Sequence, residues 1–393
     1  MSFVTIFESD QNELQMVKYF QVLLFALSLA VVSCENNKGK EKNEKSPVDS
    51  TNQVKIQTNE AANLFYTTLS GMNEPKVMDS SEQEHTTLSQ HWDLMRERLL
   101  NPIASWKKTS LPEACKETKF LFYPFSGPDF IISNEIFANM NRMIMFGLEE
   151  PGKDISYLGK DYAASMLPQM KVKLRDYFGK SYFITGNMMK DFKSDSVRGV
   201  APLLCTFIVR SGYSIISIKN FYIDSTGKKN YSMLDVADDE DAVKGVEVKY
   251  TKDQKTESSI DYLSFRAEDA SIDKHPELKT YFEANIPDQT CTYFKSASYL
   301  MHYGSFSYIR DLCLKKSKYI LQDDTGIPYK HFVSGWSLKV WGVYEMPIRD
   351  FSGVFQSDLD AYYKADSTVQ PLPFNMGYHY NNSKQNLMLA TKQ

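Results

Sequence analysis

The sequence predicts an α/β fold: a mixed, mostly parallel sheet with flanking helices and one antiparallel hairpin, in a single large domain spanning residues 56–393. Three observations lead there. Across residues 119–147 a strand-like run, a turn and a helical pattern lead into a second strand-like run. The same alternation returns across residues 291–322. Strand, helix, strand at that spacing is the pattern of a right-handed parallel crossover. Between the two units, strand-like residues 246–250 and 260–265 are joined by "TKDQKTESS". That connection is too short and too polar to hold a crossover helix, so the pair should be antiparallel.

A chain of 393 residues can bury a large core. Its 42% hydrophobic and 24% charged residues, with 24 Phe and 24 Tyr, describe a globular body. A formal net charge of −4 gives no general attraction to polyanions, which sets nucleic acid aside as a partner.

The amino-terminal part reads as an export device. Residues 22–32, "VLLFALSLAVV", are almost continuously apolar but too short to cross a bilayer comfortably. The preceding "MSFVTIFESDQNELQ" is polar and acidic where a signal peptide needs a basic leader, whereas a start at Met16 places Lys18 ahead of the apolar run. The first fifteen residues are therefore expected to be an upstream extension of the reading frame. "VVSC" resembles the lipobox of bacterial lipoproteins, which makes Cys34 the diacylated first mature residue and Ser33 the last residue removed. Val31 stands where Leu is commoner, and Glu35 is not the aspartate associated with inner-membrane retention, so an outer-membrane location in the cell envelope is favoured. Two acyl chains anchor stably, at about 0.8 kcal/mol per buried methylene. Residues 1–34 are thus the extension and signal, and 35–55 a solvated tether that mixes both charge signs and has no buried-face periodicity.

Elements of the body follow in order. Ala61, Leu64, Phe65 and Leu69 recur at helical spacing over residues 58–69, and Leu88, Trp92, Met95 and Leu99 do so over 88–100. "KFLFYPF" is strand-like, "DFIISNEIFANM" helical and "RMIMFGL" a buried strand. Residues 168–178 carry a Met170, Leu174, Phe178 stripe suited to core packing. Residues 202–210 form an apolar helix expected to start at its proline, and "YSIISIKNFYI" is a strand. After the hairpin and a short helix near Pro276 come strand-like "CTYF", helical "SFSYIRDLCLKKS" with Phe306, Ile309 and Cys313 on one side, and the strand in "KYILQDDTGIP". "WSLKVWGVYEM" alternates as a strand, residues 356–363 are a short helix, and "PLPFNMGYHYNNSK" is too rich in turn formers for regular structure. Cys115, Cys205, Cys291 and Cys313 lack metal-site spacing, and Cys205 and Cys313 fall in apolar helical patterns as buried free thiols.

Three polar breaks are candidate sites. Ser126, Gly127, Pro128 and Asp129 follow a strand, where open α/β sheets bind ligands; Asp129 could equally cap the next helix. Tyr123 and Ser126 are its ligand-contact candidates. Asp323 and Asp324 could join Asp129 in acid and base roles, or hold a divalent cation through oxygen ligands, if one turns into the same crevice, or else form a polar turn. Lys295 and Ser296 could bind an anionic group or use the lysine to activate the hydroxyl, and Arg310 with His302 flanks the last well-formed helical segment. No G-x-G-x-x-G or Walker loop is present, so no cofactor is implied, and the six histidines include no His-Glu-x-x-His, so no zinc site of the metal-hydrolase kind is expected.

"FYPFSGPDF", "FGLEEPG", "FKSASYLMH", "LQDDTGIPY" and "YEMPI" resemble the recurring wording of an uncharacterised family of Gram-negative bacterial secreted proteins and lipoproteins. The likeness covers residues 121–378 and implies one coherent body, with no activity to carry over. The sequence therefore leads to an exported lipoprotein that binds a small molecule, sugar or peptide in a crevice at the strand ends. The alternative is an envelope hydrolase using Asp129 with Asp323 or Asp324.

Overall fold

The computed structural model describes residues 55–73, 87–183, 197–236, 239–332, 334–381 and 384–393. The expectations for Met16, Cys34, the signal and the tether lie outside the described residues.

Among the described residues ten strands form one sheet: β1 (Phe120–Tyr123), β2 (Arg142–Gly147), β3 (Ser214–Ile223), β4 (Lys229–Asn230), β5 (Lys244–Thr251), β6 (Ser258–Ser264), β7 (Thr290–Phe294), β8 (Ser317–Gln322), β9 (Trp336–Gly342) and β10 (Asn386–Lys392). Their order is β4-β3-β5-β6-β2-β1-β7-β8-β10-β9. The α/β class holds, but the sheet is not mostly parallel. Four strand pairs, β6/β2, β2/β1, β1/β7 and β7/β8, are parallel. The other five are antiparallel. The expected β5/β6 hairpin is there, and it continues outward through β3 and β4. On the opposite side β10 inserts between β8 and β9 and runs against both. Sequence reading stopped short of β10, because its apolar run "NLMLATK" follows a turn-rich segment and has no crossover helix to announce it.

Strand β1 is buried on both faces, as a central parallel strand must be. Leu121 and Tyr123 point into one hydrophobic layer, Phe120 and Phe122 into the other. The first layer is covered by α1 (Glu60–Leu69), α2 (Leu88–Met95), α3 (Asn101–Ser110), α4 (Glu113–Lys116), α5 (Phe130–Ile136), α6 (Gly159–Ser165), α7 (Leu167–Lys180) and α8 (Val200–Arg210). The second is covered by α9 (Asp269–Ile272), α10 (Pro276–Asn285), α11 (Ser307–Lys316) and α12 (Ser357–Ala365). Residues Gln53–Gln393 form one compact unit.

Local chemistry explains where several helices begin and bend. Asn59 caps α1, and Thr87 with Gln90 forms a capping box on α2. Helix α2 does not stop near residue 100: it passes through a π-helical turn, Arg96–Leu100, into α3. Pro102 cannot donate to a carbonyl one turn back, and the widened turn, with the Asn101 N–H on the Arg96 carbonyl, accommodates it. Helix α8 starts two residues before its proline, since the Val200 and Ala201 N–H groups find acceptors in the Glu150 and Pro151 carbonyls at 3.0 and 2.8 Å. That docking needs two glycines. Gly152 and Gly199 have φ of +69° and +79°, and a Cβ on Gly199 would lie 2.3 Å from Gly152 Cα. The helix thereby fixes the loop that follows β2. All four body cysteines are buried free thiols.

The chain leaves β1 for β2 on one side and later returns to β7 on the other. The carboxyl ends of β1 and β7 therefore flank a topological switch point, the place where an open α/β sheet leaves a crevice.

Candidate functional site

A cavity of about 510 Å³ occupies that crevice. Its walls come from the segments after β1 (Ser126, Asp129), β2 (Leu148, Glu149), β6 (Phe265, Glu268) and β7 (Lys295, Ser296). Tyr182, Phe306, Phe351 and Tyr378 complete it from connecting segments.

The segment after β1 turns sharply, with Phe125 and Gly127 at φ of +57° and +52°. Ser126 N–H continues the pairing with β2 by donating to the Phe146 carbonyl at 3.0 Å. Asp129 sits at the N-cap position of α5 but makes no side-chain cap bond. Its carboxylate faces the sheet instead. Tyr123 Oη donates to Oδ2 at 2.7 Å, Tyr177 Oη donates to Oδ1 at 2.5 Å, and Lys295 Nζ lies 2.7 Å from Oδ2. Both charged side chains are nearly inaccessible, at 1% and 3% exposure. Lys295 Nζ also donates to the Ser181 carbonyl. Burial, and next the Asp129 charge, pushes the Tyr123 and Tyr177 hydroxyls well above the ordinary tyrosine range, so both are protonated donors at neutral pH.

The segment after β7 is held in an unusual shape. Ser296, Ser298 and Tyr299 all have positive φ, at 52°, 51° and 55°. Carboxylates from the next strand end impose it. Asp323 Oδ2 accepts from Ser296 N–H at 2.8 Å, while Asp323 Oδ1 accepts from Thr325 N–H at 3.0 Å and from the Thr325 hydroxyl. Thr325 Oγ1 in turn accepts from Ala297 N–H at 2.7 Å. Asp324 Oδ2 takes the Tyr299 hydroxyl at 2.6 Å, and Oδ1 takes Asn386 Nδ2 at 3.1 Å. Burial and then the neighbouring Asp324 raise Asp323 to about 6. Burial raises Asp324 as well.

The three predicted acids thus do not converge on the cavity. Asp129 lies in its wall and is fully engaged; Asp323 and Asp324 stand behind the wall as its scaffold. Tyr123, Ser126, Lys295 and Ser296 all line the cavity. Arg310 does not: its guanidinium donates to the Met301 and Tyr303 carbonyls at 2.9 and 3.2 Å, closing the turn before α11. His302 bonds the Asp324 carbonyl through Nε2 at 3.2 Å, and burial lowers its imidazole to about 4.

Two acids were missed, Glu149 and Glu268. Each occupies a polar break after a strand, the same signal that singled out Asp129, here at β2 and β6. The Glu149 carboxylate folds back so that Tyr262 Oη donates to its Oε2 at 3.3 Å. A Cβ on Gly147 would lie 2.5 Å from that oxygen, so a side chain there would displace the Glu149 carboxylate from this position. Two polar atoms in the cavity wall, Glu268 Oε2 and Ser296 Oγ, are sealed from solvent without a hydrogen-bond partner. Among the described residues no group of three or more His, Cys, Asp or Glu is placed to share a metal ion. No family model matches the chain, and no curated protein matches it.

Replacing Lys295 by Met leaves the Asp129 charge buried without its cation. Denaturant unfolding should show a loss of about 3–5 kcal/mol. The double replacement Asp129→Asn with Lys295→Met should lose less than Lys295→Met alone; equal stability of wild type and single variant would dismiss the pair as a structural tie.

The lowered His302 value carries a sign. Above pH 6.5 the ring is neutral folded and unfolded; as pH falls toward about 4 only the unfolded chain gains the proton, so native stability is lost across that window. Wild type should therefore lose on the order of 2–3 kcal/mol relative to His302→Gln between pH 6.5 and 4. Parallel stability curves for the two proteins would contradict it.

Proposed function

We propose that this protein is an exported bacterial lipoprotein, anchored in the cell envelope through acylated Cys34, whose body binds a small molecule, sugar or peptide in the crevice at the strand ends. One observation carries the binding part: a cavity of about 510 Å³ at the switch point, rimmed by aromatic rings, with Glu268 Oε2 and Ser296 Oγ buried and unpartnered in its wall. That volume is typical of small-molecule sites, and mostly apolar walls with a few polar groups are how such sites combine affinity with orientation. Buried polar atoms lacking partners are costly, and a ligand would supply what they lack.

The aromatic supply is substantial. Phe125 and Phe146 stand edge to face at 5.0 Å, Phe146 and Phe265 lie 4.7 Å apart, and Tyr182 and Tyr378 lie 4.9 Å apart. The hydrolytic alternative has less support, because every carboxylate oxygen of Asp129, Asp323 and Asp324 already accepts an internal hydrogen bond. Among the described residues, no helix is long and apolar enough to cross a membrane. Anchoring accordingly rests on the lipobox resemblance alone.

Wild-type protein purified from a bacterial envelope under mild conditions should carry a bound small molecule in native mass spectrometry. Leu300→Trp, which enlarges a cavity-lining side chain, should be purified without it. Identical bare masses for both would defeat the binding reading. Cys34→Ser should move the protein from the detergent phase to the aqueous phase of a detergent partition; unchanged partitioning would defeat the anchor.

A further inference from the structure

The chemistry of the cavity wall narrows the ligand. Among its described lining residues four are acidic, Asp129, Glu149, Glu268 and Asp350, and only Lys295 is basic. Lys295 spends its charge on Asp129 at 2.7 Å, so that pair offers a ligand no net positive potential. Glu268 Oε2 is sealed from solvent and has no donor. A carboxylate oxygen only accepts, so whatever completes it brings a donor or a positive charge. Ser296 Oγ also stands without a partner and can accept or donate a hydrogen bond. Phe125 and Phe265, partly exposed and packed against the buried Phe146, add aromatic rings, whose faces carry negative quadrupole potential and attract cations.

Carboxylate and ring faces alike favour a positive guest. An anionic guest would be repelled by the Glu268 carboxylate; a neutral hydroxylated guest could hydrogen-bond Glu268 but would bring it no counter-charge. We infer that the cavity binds an organic cation, an ammonium group on an apolar or aromatic body, with Glu268 as its counter-ion and the phenylalanine cluster holding the body. This rests on the binding reading above and deepens it. The ammonium head is placed at the β6 end of the crevice, next to Phe265, and the body extends toward Phe125 and Phe306, whose ring centres lie 6.1 Å apart.

Isothermal titration of the whole purified protein at neutral pH tests it with three probes of matched shape: 2-phenylethylammonium, 2-phenylethanol and phenylacetate. The ammonium should bind at least about 10-fold more tightly than the alcohol, and phenylacetate should give no measurable binding. Glu268→Gln, nearly isosteric, should remove that preference by bringing the affinity of the ammonium down toward that of the alcohol. Phe265→Leu should weaken the ammonium more than the alcohol. Equal binding of alcohol and ammonium, or a preference that survives Glu268→Gln, overturns the cation assignment while leaving a binding cavity in place. Absence of binding by all three probes also overturns it, and the wider reading then stands or falls on the retained ligand and its loss in Leu300→Trp.

Discussion

The buried pair of Lys295 and Asp129 is the contact on which the site depends. It joins the segment after β7 to the segment after β1, two paired strands whose following helices pack on opposite faces of the sheet, through atoms 2.7 Å apart and almost wholly withdrawn from water. Such a pair adds little net stability, since removing two charges from water costs about what their attraction returns. What makes it tenable here is the completeness of its hydrogen bonding, with Tyr123, Tyr177 and the Ser181 carbonyl taking up the remaining valences. Its consequence is geometric. The floor of the crevice is tied at a fixed separation, and the side chains above it line a hollow instead of collapsing into it.

A second constraint shapes the wall. Non-glycine residues at positive φ each cost about 1–3 kcal/mol, and three of them occur within four positions after β7. The surrounding network over-determines that shape. Asp323 holds Ser296, the Thr325 hydroxyl relays between Ala297 and Asp323, Asp324 holds Tyr299, and Tyr378 Oη donates to the Ser296 carbonyl at 3.2 Å. The strain leaves Ser296 Oγ in the cavity wall with no internal acceptor or donor. Strained backbone held by a rigid scaffold next to a cavity is a recurrent signature of ligand sites.

Much of this was legible in residue patterns, and the failures have physical causes. Strand and helix periodicities located both parallel crossovers, and the rule that ligands sit at the carboxyl ends of parallel strands led to Ser126, Asp129, Lys295 and Ser296, all of which line the cavity. The roles of Asp323 and Asp324 were not legible, because adjacent carboxylates after a strand look alike whether they face a cavity or hold a neighbouring loop; only the partners decide. Glu149 and Glu268 were within reach of the same rule, but β6 was read as part of a hairpin, which hid that its carboxyl end reaches the crevice through its parallel pairing with β2. Overstating the parallel share had the same origin, since the crossover signal is strong and says nothing of strands added at the flanks.

Those antiparallel flanks do more than widen the sheet. Strand β10, which no periodicity announced, begins at Asn386, and Asn386 meets Asp324 twice: Asp324 N–H donates to Oδ1 at 2.8 Å, and Nδ2 donates to the Asp324 carboxylate at 3.1 Å. Asp324 in turn orients Tyr299, the third of the strained residues. The wall of the cavity is therefore set from three strand ends at once, β7 supplying the residues, β8 the carboxylates and β10 the amide that aims one of them. A purely parallel sheet would end at β8 and leave Asp324 without that amide. The mixed architecture thus supplies the geometry that a crevice at the strand ends requires.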